Sequence, residues 1–127
     1  MQEFLLLFRN ENNPDGGEPS PEQMQAAVKQ WQAWIQGIAA KGIYSGTNRL
    51  QHEGKTLYPE NIIKDGPFAE VKEVIGGYLI IKAESLVAAV EIAKACPNLV
   101  FGGNVEVRPV LKIDDDPRSK NFLAPIQ

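Results

Sequence analysis

Residues Glu73–Ala83, with the sequence EVIGGYLIIKA, predict a strand in the interior of a β-sheet. Side chains alternate between the two faces of a strand, so Tyr78 and Ile80 lie on one face. Leu79 and Ile81 lie on the other. Because both faces are apolar, we expect neighbouring elements to cover this strand on both sides, as they do in the middle of a sheet.

A pair of glycines and a second two-faced strand extend this prediction. The adjacent Gly76 and Gly77 predict a β-bulge, since glycine inside a strand often marks an irregular residue. The first strand, Glu3–Arg9, repeats the apolar pattern and is also expected to be central. Its apolar side chains are Phe4, Leu6 and Phe8 on one face and Leu5 and Leu7 on the other.

The first helix is predicted from a strong start signal and a long apolar stripe. Ser20 is a favourable N-cap, Pro21 suits the first helical position, and Gln23 completes a capping box. Gly42 is expected to end the helix. Trp34 falls at the margin of the stripe, which predicts core packing for its members. The stripe consists of Met24, Ala27, Val28, Trp31, Ile35, Ile38 and Ala39.

The rest of the chain supplies a second helix and two more strands. The helix covers about Ser85–Cys96 and is stopped by Pro97. Ile43–Leu50 predicts the second strand and Asn104–Ile113 the last, where Pro109 is tolerated only at an edge or a bulge. The buried stripe of the second helix is predicted to be Leu86, Ala89, Val90 and Ala93.

The resulting order βαββαβ is typical of a ferredoxin-like α+β fold. We expect an antiparallel sheet with strands one and three inside, strands two and four at the edges, and two helices on one face. Residues 51–64 are predicted to be an irregular or hairpin-like insertion that turns near Tyr58–Asn61. Residues 1–113 form the domain, and residues 114–127 form a C-terminal tail.

The two-faced central strands also predict a homodimer. Two helices cover only one face of the sheet, so the other apolar face would be exposed in a monomer. A second copy of the chain is the simplest cover, and we expect the two sheets to form a dimeric α/β barrel.

Composition excludes several classes of protein. The net charge is −3, and the 13 basic residues are dispersed, so direct nucleic-acid binding is not expected. Cys96 is the only cysteine, which excludes an internal disulfide and favours a cytoplasmic protein. No apolar run is long enough to span a membrane. We expect no cofactor and no metal.

One motif resembles a known family. Residues Asp65–Glu73, with the sequence DGPFAEVKE, are followed by Gly76, Gly77 and Tyr78, and this run resembles the DGPF branch of the YCII-related proteins. The similarity extends to the ending Val105–Pro109. It implies a ferredoxin-like unit that dimerises into an α/β barrel, with a mostly unassigned role and an association with transcription factors of the sigma type.

The chain departs from the YCII branch proper at two positions. That branch carries a histidine in the first helix and an aspartate before a proline after the second, a pair proposed as catalytic. No histidine lies between Pro21 and Lys41, and Cys96 precedes Pro97. The proposed acid/base pair is therefore not transferred to this chain.

A charged cluster in and beside the motif is the candidate acid/base or ligand-binding site. Asp65, Glu70, Lys72 and Glu73 lie within nine positions, and a carboxylate beside an ammonium in a cleft can act as a general base or anchor a ligand. The alternative is structural: Asp65 caps the Gly-Pro turn, and the Glu/Lys alternation is a solvated edge or a dimer salt bridge.

Two hypotheses about function remain open. The first is a binding or regulatory domain whose dimer encloses a cleft for a small molecule. The second is an enzyme with Asp65 or Glu70 as base and Lys72 or Arg108 stabilising negative charge. His52 could reach such a cleft, but a lone histidine in a polar loop is more often a surface residue.

Overall fold

A computed structural model describes residues 1–11, 20–66, 73–119, 121–122 and 124 of the chain, and it has a mixed α+β fold. The elements, in chain order, are β1 (Gln2–Glu11), α1 (Pro21–Ala40), β2 (Tyr44–Arg49), β3 (Gly54–Tyr58), β4 (Ile62–Gly66), β5 (Glu73–Ala83), α2 (Leu86–Ala93), α3 (Pro97–Val100) and β6 (Asn104–Pro109). Apart from the β3–β4 hairpin and the short α3, this is the predicted βαββαβ order.

The main sheet is antiparallel and has the strand order β2-β5-β1-β6. The two strands with apolar side chains on both faces, β1 and β5, are therefore central, as predicted. The expected bulge is also present. Phe8 pairs with Gly77 and Arg9 pairs with Ile75, which leaves Gly76 as the extra residue of β5.

One face of the sheet forms the hydrophobic core with the helices. Phe4, Leu6, Leu79 and Ile81 have no solvent exposure, and α1 and α2 pack against them. Burying a side chain of this size stabilises the fold by roughly 1.5–3 kcal/mol. The side chains that the helices contribute next to this core include Trp31, Trp34, Ile35, Ile38, Ala89 and Ile92.

The start of α1 shows the predicted capping box. The Ser20 hydroxyl accepts a hydrogen bond from the Gln23 backbone N–H (3.1 Å), and the Gln23 side chain accepts one from the Ser20 N–H (2.9 Å). Two N–H groups that lack helical partners are thus satisfied at once. Gly42, with φ +73°, follows the C-cap and ends the helix as expected.

The N-terminal half of the predicted α1 stripe is not in the core. Ile38 is buried, but Met24 and Val28 are exposed. The apolar stripe is therefore longer than the part of the helix that packs on the sheet. Its two exposed residues border a cavity instead. Trp31, at the middle of the stripe, contacts both the core and this cavity.

The second helix differs from the prediction in length and orientation. It spans Leu86–Ala93 and does not reach Cys96, while Pro97 opens the separate α3. Ala89 and Ala93 are buried as predicted, but Leu86 and Val90 are exposed. Nearly every residue of this helix is apolar, so its pattern could not define which side approaches the sheet.

The last strand is shorter than predicted and ends at Pro109 instead of Ile113. Pro109 has no N–H to donate to the ladder, and the Val110 N–H makes a further bond to the Glu3 carbonyl (3.0 Å). Beyond this bond the chain leaves the sheet. Leu111 is exposed, and Ile113 begins a 3-10 turn.

The predicted insertion is a regular hairpin. Strands β3 and β4 form a separate two-stranded sheet, joined by a turn at Pro59–Asn61 in which Glu60 and Asn61 have positive φ. The turn lies where the sequence places it, and the second strand continues to Gly66. The four-stranded sheet of a single chain is open and is not closed into a barrel.

Candidate functional site

Asp65, the first candidate from the sequence, lies on β4 of the hairpin. Its carboxylate is 2.6 Å from the ammonium of Lys55, its partner residue on β3. The two side chains are 85% and 65% exposed. An ion pair so exposed to water contributes only about 0–1 kcal/mol to stability.

The other members of the charged cluster lie apart from Asp65 or outside the described residues. Glu70 and Lys72 fall in the range 67–72, which the structure does not describe. Glu73 begins β5, and both of its carboxylate oxygens lie 3.3 Å from the side-chain nitrogen of Asn104 on β6. The Glu73 carboxylate therefore lies next to β6, an edge strand of the main sheet. Asp65, in contrast, is paired within the hairpin.

Arg108 belongs to a charged group on the face of the sheet that the helices do not cover. Arg9 donates a hydrogen bond to Glu106, and the Arg108 guanidinium lies 3.6 Å from the same carboxylate. The hydrogen bond from Arg9, followed by the charges of both arginines, holds the pKa of Glu106 below its ordinary value. Glu106 is thus a stable anion between two cations.

His52 lies in the loop before β3 and shares a cavity with Glu73. This cavity, of about 490 Å³, separates the hairpin from β5. Of the sequence-predicted residues that the structure describes, His52 and Glu73 line this cavity, and Asp65 and Arg108 do not. The described lining consists of Leu50, Gln51, His52, Glu53, Gly54, Lys55, Thr56, Tyr58, Gly66, Glu73, Val74, Ile75 and Gly76.

A second site, which the sequence did not predict, lies between α1, α3 and the end of the sheet. Two cavities of about 460 and 500 Å³ share the lining residues Trp31, Arg49 and Asn98. We call the pair the α1 cleft. Its inner cavity is also lined by Phe8, Asn10, Ile35, Thr47, Asn48 and Gly76, and its outer cavity by Gln23, Met24, Ala27, Val28 and Phe101.

Phe8 and Trp31, two members of an aromatic cluster, line the α1 cleft. The rings of Phe8 and Trp31 meet edge to face with centroids 4.9 Å apart, and Trp34 lies 5.7 Å from Trp31 in the same manner. The Trp34 indole N–H donates to the Ile92 carbonyl (3.3 Å), which ties the cluster to α2. Edge-to-face contacts of this kind favour one orientation of each ring. Trp31 therefore presents a well-defined surface to the cleft.

Asn98 supplies a buried polar group to both cavities. The side chain is 5% exposed, and its nitrogen donates to the carbonyls of Arg9 (3.1 Å) and Asn104 (2.9 Å). Within the described part of the chain, no donor is hydrogen-bonded to its Oδ1. The two donated bonds fix the orientation of the amide, and therefore the position of its oxygen.

Gly103 packs directly against this arrangement. A Cβ atom at Gly103 would lie 2.5 Å from the Arg9 carbonyl oxygen and 2.6 Å from the Asn10 Oδ1. Both distances are shorter than any ordinary contact, so a side chain here would displace the backbone or the amides. The absence of a side chain at this position lets α3 approach β1 closely enough for Asn98 to bond to it.

Arg49 is the charged residue of the cleft. It is the last residue of β2, its side chain is exposed, and it lines both cavities. Among the described residues that line either cavity, no other carries a charge at neutral pH. Arg49 also makes no ion pair in the described parts of the chain.

Cys96 does not line the cleft, and its thiol has low reactivity. The side chain is buried, and desolvation raises the pKa of the thiol to about 11, partly offset by a hydrogen bond from the Asn98 backbone N–H. The thiol is therefore neutral at physiological pH. Cys96 is thus a small buried residue just beyond the end of α2.

The α1 cleft left little trace in the sequence. Its three shared residues come from α1, β2 and α3, and no spacing rule connects them. The one available signal was the length of the apolar α1 stripe, whose N-terminal half exceeds what the sheet covers. The sequence pattern predicts that these N-terminal residues of the stripe pack in the core, whereas in the structure they line the outer cavity.

Two further observations concern metals and membranes. Within residues 1–11, 20–66 and 73–119, no three His, Cys, Asp or Glu side chains come together to hold a metal ion. Of the helices in the described residues, none has the length and apolar character needed to cross a membrane.

An antiparallel sheet of order β2-β5-β1-β6, with helices on one face and a cleft beside the first helix, defines a small α+β domain of the split βαβ class. The model of the YCII-related domain matches residues 6–114, so the chain belongs to the YCII-related domain family. This confirms the resemblance at the level of the family. No curated protein matches the chain.

Proposed function

We propose that this protein is a homodimeric, cytoplasmic binding domain for a small organic molecule, of the DGPF branch of the YCII-related family. The α1 cleft is the ligand site. One observation carries the proposal: two adjoining cavities share an aromatic residue, an exposed guanidinium and a buried amide. A regulatory role, including one linked to transcription, follows if ligand occupancy changes the dimer or its partners.

The chemistry of the cleft supports this role. Small-molecule sites are concave, mostly apolar and equipped with a few convergent polar groups, and their volumes are about 300–1,000 Å³. The cavities of about 460 and 500 Å³ fall in this range. Their walls combine the apolar surface of Trp31 with the polar groups of Asn98 and Arg49.

The face of the sheet opposite the helices supports the homodimer. In the strand register, Leu5 pairs with Ile80 and Leu7 pairs with Tyr78, so these four half-buried side chains form one apolar patch. We call this face the open face. The group Arg9–Glu106–Arg108 lies beside the patch and provides both signs of charge for a second copy. Two such faces related by a two-fold axis would bury the patch and complete the barrel.

A ligand screen read by NMR tests the proposed site. The protein is titrated with a library of small metabolites, and the shifts of the Trp31 indole N–H and the Asn98 side-chain amide are followed. A ligand of the cleft shifts both signals and raises the melting temperature, because it binds the folded state only. Ligands that shift only the His52 region, or a library without any hit, would overturn the assignment of the cleft.

The enzyme hypothesis stays a prediction and is not adopted as a second function. Its base would be Asp65 or Glu70. The Asp65 carboxylate is largely exposed and paired with Lys55, and Glu70 lies outside the described residues. No contact in the described parts of the chain favours proton transfer by Asp65.

A further inference from the structure

We propose that the ligand of the α1 cleft is an organic acid, whose carboxylate binds Arg49 and whose apolar or aromatic body packs against Trp31. This inference rests on the proposed function, because it takes the cleft to be a ligand site. It adds the chemical class of the ligand and the residue that selects it.

The charge of the cleft carries the first step. The chain as a whole has a net charge of −3, yet no Asp or Glu is among the described residues that line either cavity. Arg49 is the charged side chain in those linings, and it has no partner carboxylate in the described parts of the chain. An anion entering the cleft therefore meets a guanidinium, and no carboxylate competes with it among the described lining residues.

The geometry of an arginine is suited to binding a carboxylate. A guanidinium presents parallel N–H groups that match the two oxygens of a carboxylate. The backbone of Arg49 is held in β2 by pairing with Gly77 on β5. The side chain is exposed, so the guanidinium can turn to meet a carboxylate. The strand fixes the base of the side chain, and the ligand fixes its end.

The apolar walls carry the second step. Met24, Val28 and Phe101 are exposed hydrophobic residues that border the outer cavity, and Trp31 continues this surface inward. A small inorganic anion would leave these side chains in contact with water. An acid with an aromatic or branched body covers them, so one ligand satisfies both the charge and the apolar surface.

Matched pairs of acids and neutral amides test the inference. The probes are phenylacetate with phenylacetamide, benzoate with benzamide, and isovalerate with isovaleramide. Each pair has nearly the same shape, so a difference in affinity reports the carboxylate. Binding is measured by calorimetry and by the NMR signals of Trp31 and Asn98. We expect at least one acid to bind roughly tenfold or more tightly than its amide, the effect of one charged hydrogen-bonding contact.

Substitutions then assign the preference to one side chain. Arg49→Gln is expected to weaken the acid to the level of its amide and to leave the amide unchanged. Arg49→Lys keeps the positive charge but lacks the parallel N–H groups of a guanidinium. It is expected to retain part of the preference for the acid over its amide. The control is Arg118→Gln, which removes the same charge from an exposed arginine paired with Asp116. This control should change the affinity for neither the acid nor its amide. Unchanged amide binding by Arg49→Gln also verifies that the variant is folded.

Three outcomes would overturn the inference. If acid and amide bind equally and shift Trp31, the cleft binds neutral ligands, and the proposed function stands without Arg49 selection. If Arg49→Gln keeps the acid preference, another residue selects the anion. If none of the probes binds at millimolar concentration, the class of acids is wrong, and the metabolite screen decides separately whether the cleft binds anything.

Discussion

The two faces of the main sheet are built from the same strands and have similar sequences but different surroundings. On the covered face, Leu6 and Leu79 have no solvent exposure beneath α1 and α2. On the open face, their neighbours Leu7 and Ile80 are only half buried. The difference shows that apolar side chains on both faces identify a central strand, but they do not identify which element covers each face. The cover of one face is provided by the helices, and the cover that we propose for the open face is a second copy of the chain.

The sharpest test of this comparison places a charge in the middle of the open face. Ile80→Asp would bury a carboxylate in each half of the proposed symmetric interface, and leaving a buried charge unpaired costs about 3–5 kcal/mol. We expect the dimer to dissociate at least ~100-fold more readily. The mass measured by sedimentation should fall from twice 14.0 kDa toward 14.0 kDa.

A control for this variant lies on α2. Val87 is 74% exposed and belongs to neither face of the sheet. Val87→Asp adds the same charge and should leave the dimer intact. If the unmodified protein already sediments as a monomer at high concentration, the proposed interface is wrong.

Truncation of neighbouring residues on β5 compares the two faces by stability. Leu79→Ala removes a fully buried side chain from the covered face and should lower the free energy of unfolding by about 2–5 kcal/mol. Ile80→Ala, measured on protein diluted to the monomer, should cost clearly less because its side chain is only partly buried there. Urea denaturation at equal protein concentration gives both values. Equal losses would mean that the open face is as well packed as the core.

The contact between Gly103 and Asn98 tests the end of the covered face. Gly103→Ala forces a Cβ to within 2.5 Å of the Arg9 carbonyl, so the Asn98 hydrogen bonds have to lengthen. We expect a loss of stability of about 1–3 kcal/mol, as in other overpacked sites. The Asn98 side-chain amide protons should also exchange faster. Gly102, whose Cβ would meet nothing within 4 Å, is unsuitable as a control because its φ is positive; Gly37→Ala is suitable, since it has open space and a helical backbone.

A smaller effect concerns the charged group on the open face and has a defined pH dependence. The pKa of Glu106 is lowered in the folded protein, mainly by the hydrogen bond from Arg9. Its contribution to stability is therefore complete above the ordinary pKa of a glutamate and is lost as the pH falls through the lowered value. Denaturation curves of the wild type and Glu106→Gln should differ at neutral pH and converge in acid. A difference that grows in acid would have the wrong sign.

The smallest effect is expected in the hairpin, which belongs to neither face. Lys55→Ala removes the exposed partner of Asp65, and the change in the free energy of unfolding should stay within about 0.5 kcal/mol. Chemical denaturation checks this value. A loss above 1 kcal/mol would show that the pair has a structural role that its exposure does not indicate.

Local signals in the sequence predicted most of the fold. The Ser20 capping box, the extra residue Gly76 and the ends of β5 at Glu73 and Ala83 depend on residues close in sequence, and the structure confirms them. The prediction of which side of α2 is buried was partly wrong, because a helix that is apolar on nearly all sides has no polar side to mark its solvent-facing surface. The small Ala89 allows the close approach that Leu86 does not.

The candidate site was harder to predict than the fold. The charged cluster around Asp65 was conspicuous because its members are neighbours in sequence, yet the structure places Asp65 and Glu73 in different sheets. The residues of the α1 cleft are the reverse case. Trp31, Arg49 and Asn98 are separated by 18 and 49 positions (49 − 31 and 98 − 49) and meet only through the tertiary fold.

The aromatic cluster has one more consequence, which concerns how the protein can be observed. The chain contains two tryptophans, and both belong to the edge-to-face group with Phe8 at the wall of the cleft. Indole emission therefore originates from a single cluster instead of averaging over the molecule. With their centroids 5.7 Å apart, the two indoles are close enough for their transitions to couple. The two tryptophans thus form an internal optical probe of the proposed ligand site.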